Sequence, residues 1–176
     1  EHEAVLSAIE FLERVHGFET TWVTLDAFGA VMNFDATLRP DTTLVTLMVA
    51  NNEIGTLHNI AELASAAHKF GAFFHTDAVQ AVGWFDLDIK KLGVDALSIS
   101  GHKFGAPKGC GVLVLRAGAH LIVSTRFPRD SARRYAAEPD FKDWGHRLEI
   151  FGLDLRHTPS VEAFCRHLLA TRSRLD

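Results

Sequence analysis

The chain has 176 residues, a formal net charge of −4, 47% hydrophobic residues and 23% charged residues. This composition is typical of a globular protein and excludes a disordered or collagen-like chain, while the mild acidity argues against a nucleic-acid surface. Two cysteines, Cys110 and Cys165, are too few for a disulfide framework, and no apolar run is long enough to cross a membrane. We therefore expect a cytoplasmic protein that binds neither nucleic acid nor membrane.

The beginning and the charge distribution of the chain indicate its organisation. It opens on Glu1 directly into a helical pattern, so we expect it to be part of a longer protein. Residues 1–118 carry 14 acidic and 8 basic residues, a net of −6, whereas residues 119–176 carry 8 and 10, a net of +2. Periodic patterns weaken at the same place. We predict a core domain over residues 1–118 and a divergent segment over 119–176, of uncertain fold, that could also continue the domain.

The first third of the chain alternates between helical and extended patterns. Apolar residues recur at helical spacing over residues 5–15, and Gly17 follows where a helix would end. Residues 18–25 are rich in aromatic and β-branched side chains, which is typical of a strand. Residues 34–38 predict a short helix. Residues 44–50 form a nearly continuous apolar run, as in a strand buried on both faces.

The next elements complete a strand–helix–strand order. Asn59 and Glu62 have capping-box spacing at the start of a helix that Gly71 ends. Further strands are predicted at residues 72–75, 96–100, 111–116 and 121–123, and a last helix at 161–175. This order indicates βαβ units, so we predict an α/β fold with a mostly parallel sheet flanked by helices.

Polar residues follow three of the predicted strands at their carboxyl ends, where ligands bind in open α/β sheets. They are Asn51, Asn52 and Glu53, then His75, Thr76, Asp77 and Gln80, then Ser100, Gly101, His102 and Lys103. An aspartate can hold the positive charge of a ring nitrogen, and a lysine on a glycine-flanked turn can form a Schiff base. Pyridoxal phosphate needs this pair of groups, so the sequence predicts a site for that cofactor.

Four stretches make the chain resemble the cysteine desulfurases, the NifS/IscS-like branch of the class V aminotransferase family. They are residues 1–6 (EHEAVL), 49–55 (VANNEIG), 75–83 (HTDAVQAVG), and 98–103 with 105–109 (SISGHK, GAPKG). The resemblance covers residues 1–118. It implies the central part of the large domain of a PLP-dependent transferase of fold type I.

The resemblance also implies a role for each site residue. Lys103 would form the Schiff base with pyridoxal phosphate, and His2 would stack on the ring and move protons. Asp77 would keep the pyridine nitrogen protonated. The other contacts would come from Gln80 and Asn52, at the phenolic oxygen or the substrate, and from Ser100 and His102, at the phosphate.

The implied reaction takes sulfur from L-cysteine and leaves L-alanine and a persulfide on an enzyme cysteine. The family's persulfide cysteine and substrate-binding arginine lie beyond Asp176, and neither Cys110 nor Cys165 matches that cysteine. We therefore expect little or no activity from this stretch alone. We expect a homodimer as the full-length form, and an acceptor or scaffold protein as the partner that receives the sulfur for iron–sulfur cluster assembly or another pathway.

Several alternatives stay open at this point. A selenocysteine lyase or another class V enzyme would use the same site, and a non-catalytic scaffold could retain the fold. The ten histidines show no metal-ligand spacing, so we expect no metal site. Residues 119–157 do not follow the family's pattern, which leaves a divergent insertion or a shifted reading frame as explanations.

Overall fold

The computed structural model describes residues 1–106, 110–115, 121–125, 128–137 and 148–152, with single positions at 142, 145, 159, 163 and 166. The chain forms two compact units, residues 1–95 and 96–176. The predicted boundary after Gly118 lies outside the described residues, as does almost all of the helix predicted over 161–175. Among the described helices, none is long and apolar enough to cross a membrane.

Strands and helices alternate in both units, which confirms the predicted α/β class. The first unit contains α1 (Glu3–His16), β1 (Thr24–Leu25), β2 (Val31–Met32), α2 (Phe34–Thr37), β3 (Leu44–Thr46), α3 (Ile60–Lys69), β4 (Phe73–Asp77) and α4 (Ile89–Leu92). The second unit contains β5 (Ala96–Ser100), a 3₁₀ turn over Gly101–Lys103, β6 (Cys110–Leu115), β7 (Leu121–Thr125), α5 (Pro128–Ala136) and β8 (Leu148–Gly152).

In the first unit, β3 and β4 pair in parallel and α3 connects them. The register sets Leu44 opposite Phe73, and backbone hydrogen bonds continue the pairing past the end of β3, from Val49 N to Asp77 O at 2.9 Å. A parallel pair needs a crossover of about a dozen residues or more, which the helix supplies. The carboxyl ends of both strands therefore lie at the same edge.

The core of the first unit forms where α3 packs against β4. Ala64 and Ala67 on α3 are fully buried, and their small side chains allow the helix to lie close to the strand. Phe74 on β4 is also fully buried. The other buried apolar residues of this unit include Val45, Leu47, Met48, Val49, Ile60, Ala78, Ala81 and Val94.

In the second unit, β6 is an exception to the predicted parallel pairing. It runs antiparallel to both β5 and β7, with Ser100 opposite Gly111, whereas β7 and β8 pair in parallel. The connections from β5 to β6 and from β6 to β7 are too short for a crossover, so the chain must reverse direction. The helix α5 lies between β7 and β8 and makes their parallel pairing possible.

Two local predictions were wrong. The strand predicted over residues 18–25 is limited to Thr24–Leu25, which pairs with β2. Trp22 remains 57% exposed, and strand propensity needs a packed, half-buried surface to take effect. At α3, Asn59 occupies the N-cap position without a side-chain capping bond; its amide instead donates to the Glu62 carboxylate at 2.8 Å.

Candidate functional site

Asp77 is the last residue of β4, and its carboxylate is nearly buried, with 9% of the residue exposed. Oδ1 accepts a hydrogen bond from the Val79 N–H at 2.8 Å. Because a carboxylate has acceptor capacity on both oxygens, this contact leaves the second oxygen for another donor. The structure therefore places an acceptor at the carboxyl end of β4, where the sequence predicted one.

Gln80 lies just beyond Asp77, in a turn. Backbone bonds from Ala81 N and Val82 N to Ala78 O, both 3.0 Å long, close this turn. Gln80 itself is half-buried. This tight turn holds Gln80 near the carboxyl end of β4.

The two asparagines after β3 have different positions. The Asn51 side chain is used by the loop itself, since Oδ1 accepts from Glu53 N at 2.9 Å and from Ile54 N at 3.0 Å. Such bonds are typical of an asparagine that forms a turn. Asn52 is exposed. Of this pair, Asn52 is thus the more exposed residue.

His2 is the N-cap of α1. Its Nδ1 accepts from Ala4 N at 3.1 Å, and the residue is exposed. An accepting Nδ1 leaves Nε2 to carry the proton of the neutral ring. One nitrogen of His2 therefore holds the helix start, and the other remains for the predicted contact.

Glu1 borders the candidate site, although the sequence predicted no role for it. Its Oε1 accepts from Met48 N, at the carboxyl end of β3, at 2.7 Å. Burial raises the pKa of Glu1, and the negative charge of Asp77 acts in the same direction. The signal available in the sequence was its place in the EHEAVL stretch beside His2.

His75, within β4, lies beside the site rather than in it. The ring Nδ1 is 2.8 Å from Thr46 Oγ1 on the neighbouring strand. Burial lowers the pKa of His75, although Asp77 acts in the opposite direction. Thr76 is fully buried, and its hydroxyl donates to Leu47 O at 2.7 Å. These two residues of the predicted cluster therefore contact the adjacent strand and hold β3 against β4.

In the second unit, the three predicted residues Ser100, His102 and Lys103 lie at the carboxyl end of β5. Ser100 Oγ and His102 Nδ1 are 2.8 Å apart. Lys103 ends the 3₁₀ turn and is exposed. The turn thus presents a primary amine, a ring nitrogen and a hydroxyl within a few residues of one another.

Close packing holds this turn in place. Gly101 is buried, and its carbonyl accepts from Phe104 N at 3.1 Å and from Ala106 N at 2.9 Å. A Cβ on Gly101 would lie 2.9 Å from Ala106 Cβ, too close for an ordinary contact. Gly101 is required at this position because only a hydrogen fits there.

The two cysteines of the chain differ in what the structure describes. Cys110 begins β6 as a half-buried free thiol, and Cys165 lies outside the described residues. Within the described part of the chain, no group of three or more His, Cys, Asp or Glu residues is arranged to hold a metal ion.

The sequence matches the model of the aminotransferase class-V family over residues 1–124. It is 46% identical to a cysteine desulfurase IscS of Methanosarcina thermophila, over 99% of this chain and 43% of that protein. It is 49% identical to an IscS of Dictyoglomus turgidum, over 69% of this chain and 31% of that protein. The chain therefore spans less than half the length of these curated relatives, and the first alignment continues through the segment after Gly118.

Solved structures give the same likeness. A chain described as SspA in complex with cysteine has a TM-score of 0.63 at 39% identity, covering 66% of this chain and 34% of that one. A NifS-like protein has a TM-score of 0.63 at 37% identity, over 67% of this chain and 33% of that one. DndA of Streptomyces lividans has a TM-score of 0.56 at 42% identity, over 66% and 32%.

Proposed function

Because the chain belongs to the class V aminotransferase family, we propose that the whole protein is a pyridoxal-phosphate-dependent cysteine desulfurase. Its substrate is L-cysteine, and its products are L-alanine and a persulfide on an enzyme thiol. The relatives named cysteine desulfurase support this reaction over other chemistry of the family. The observation that carries the proposal is the nearly buried Asp77 carboxylate at the end of β4, with one oxygen left for a cationic ring N–H.

The chemistry of the donor set fits the cofactor. Asp77 offers an anionic acceptor in a protected position, which is where a protonated ring nitrogen is stabilised. Ser100 and His102 are already held 2.8 Å apart, and a hydroxyl and an imidazole both donate well to phosphate oxygens. Lys103 offers a primary amine on a turn fixed by Gly101. These are the groups that pyridoxal phosphate requires.

Each residue has a distinct task in this proposal. The cofactor supplies an electron-withdrawing ring conjugated to the substrate amino group. Lys103 would hold it covalently and carry a proton to and from the substrate α-carbon. Asp77 would keep the ring nitrogen protonated, and Ser100 and His102 would bind the phosphate. His2 would lie against the ring and move a proton through Nε2.

The amides Gln80 and Asn52 would complete the site. Gln80 is half-buried next to Asp77, and Asn52 is exposed on the loop after β3. Amide groups donate and accept, so they suit the phenolic oxygen of the cofactor and the polar groups of the substrate. The C–S bond of cysteine would then break as an enzyme thiolate attacks the substrate sulfur and forms the persulfide. The bonding electron pair would stay with the β-carbon, which takes up a proton and becomes the methyl group of alanine.

The assembly and context of the protein belong to the same proposal. We propose a homodimer that passes sulfur to an acceptor or scaffold protein in the cytoplasm. We also retain residues 1–118 as the cofactor-binding core and residues 119–176 as a divergent segment.

Reductive trapping tests the site. The chain is incubated with pyridoxal phosphate, reduced with borohydride, and mapped by peptide mass spectrometry. We expect the adduct on Lys103, its loss in Lys103→Arg and a large decrease in Asp77→Asn. Lys90→Arg, which changes an exposed lysine on α4, is the matched control and should label as before. Labelling spread evenly over the six lysines would contradict the proposed site.

Product analysis tests the reaction. In the full-length protein, we expect L-alanine from L-cysteine and none after Lys103→Ala. A comparison of cysteine with selenocysteine separates the desulfurase from the selenocysteine lyase. A protein that traps the cofactor but forms no alanine from either substrate would contradict the enzymatic proposal and favour the scaffold.

A further inference from the structure

Just past β3, the edge of the chain that faces away from β4 is covered at Met48 by side chains. Val49 N donates to Asp77 O and Leu47 N to His75 O, so these residues pair with β4. Backbone groups of successive strand residues point to opposite edges. Met48, between them, therefore turns its N–H and C=O away from β4, and within the described strands of this unit β3 pairs with β4 alone.

Glu1 and His58 satisfy the two backbone groups of Met48. Glu1 Oε1 accepts the N–H at 2.7 Å, and His58 Nδ1 lies 3.0 Å from the carbonyl oxygen. The second ring nitrogen of His58 is 3.1 Å from Gly29 O. Met48 is 4% exposed, so water does not readily replace these partners. The two side chains thus cover the backbone of Met48, two residues past β3 and next to the proposed site.

The contact of Glu1 also determines where α1 begins. The next residue is His2, whose ring accepts from Ala4 N at 3.1 Å and whose carbonyl accepts from Val5 N at 2.9 Å. His2 is therefore held between an anchored residue on one side and the first turn of a helix on the other. If Glu1 moves, His2 and the helix start move with it.

The burial of Glu1 indicates a role other than stability. Oε2 is buried and has no hydrogen-bond partner, the one such side-chain atom among the described residues. Burial and the charge of Asp77 raise the pKa of Glu1, while the Met48 N–H and His58 act in the opposite direction. A buried oxygen without a hydrogen-bond partner destabilises a fold. Such groups persist where the position of the residue is needed for function.

We propose that Glu1 is a positioning residue, which holds the start of α1 on the carboxyl end of β3 and thereby fixes His2 for its contact in the site. The anchoring is a property of the fold, and its consequence for the cofactor rests on the proposed function. Glu1 acts through His2 and does not itself touch the cofactor.

Hydrogen–deuterium exchange of the full-length protein tests the anchoring without cofactor. In Glu1→Ala, we expect peptides 3–8 and 44–50 both to exchange about tenfold faster, because roughly one hydrogen bond is lost. Glu1→Gln keeps an acceptor oxygen for Met48 N–H and should restore slow exchange. Glu10→Ala, an exposed position on α1, is the control. Unchanged exchange in either peptide, or no rescue by Gln, would overturn the proposal.

Cofactor titration tests the action through His2. The pyridoxal phosphate concentration for half-maximal trapping on Lys103 should rise by similar factors in Glu1→Ala and His2→Ala, and the double variant should match His2→Ala. Additive effects of the two substitutions would overturn the proposal, because the effects of residues that act independently add. If the unsubstituted protein does not label at Lys103, the proposed function fails, and the exchange experiment alone decides whether Glu1 anchors α1.

Discussion

A single methyl group added to Gly101 should disturb the 3₁₀ turn that carries Lys103. The added Cβ of Gly101→Ala would lie 2.9 Å from Ala106 Cβ and 3.3 Å from both Cys110 Cβ and Cys110 O. These atoms belong to the backbone or lie next to it, so no flexible side chain can move aside. The turn itself must therefore shift.

The expected loss follows from overpacking. Extra methyl groups in a packed interior destabilise by about 1–3 kcal/mol, and for a chain of this size each kcal/mol lowers Tm by about 2–4 °C. The shift also strains the bonds that Gly101 O accepts from Phe104 N and Ala106 N. Because these bonds enclose Lys103, we expect the labelling of Lys103 by pyridoxal phosphate to fall together with Tm.

Thermal unfolding and borohydride trapping measure the two effects. The double variant Gly101→Ala/Ala106→Gly removes the 2.9 Å contact and should recover part of both losses. Gly101→Ala with an unchanged Tm and unchanged Lys103 labelling would refute the argument, because it would show that the turn accommodates a Cβ without moving.

Two further predictions concern the interior of the first unit. Phe74→Ala should destabilise by about 3–5 kcal/mol, because Phe74 is fully buried, while Phe73→Ala, at a 53% exposed position of the same strand, should have little effect in denaturant unfolding. Burial lowers the pKa of His75 below 6.5, so the folded state binds fewer protons than the unfolded state, and stability should fall as the pH drops through this value. Tm measured at about pH 7.5 and about pH 5.5 should fall less in His75→Asn, which cannot titrate; an equal fall in both proteins would contradict the contribution of His75.

Local signals predicted α1, α2 and α3, whereas no helix was predicted at α4 or α5. The 3.6-residue spacing over residues 5–15 and Gly17 after it correspond to α1, in which Gly17 adopts the left-handed conformation at φ 68°. The helix predicted from Asn59 and Glu62 to Gly71 corresponds to α3, in which Ile60, Ala64 and Ala67 are buried. Helices satisfy their backbone bonds within one segment, so a short stretch of sequence contains most of the information that defines them.

The formation of strands depended on pairing with other strands, which a local sequence pattern does not contain. Residues 18–25 have strand composition, yet only Thr24–Leu25 pairs. The direction of β6 was also set by the length of its connections rather than by its own residues. The capping bond predicted for Asn59 is replaced by a contact with Glu62, because two polar side chains at that spacing can also bind each other.

For the candidate site, the sequence by itself determined which chemical groups stand at the ends of β3, β4 and β5, since residue identity and strand order are properties of the chain. Only the tertiary structure decided which of these groups are buried and what they contact. Asp77 is protected and Lys103 exposed, although the sequence predicted both at the carboxyl ends of strands. The bond from Met48 N to Glu1 joins residues 47 positions apart. Such a contact exists only after the strand and the helix have packed, which is why no local pattern indicated it.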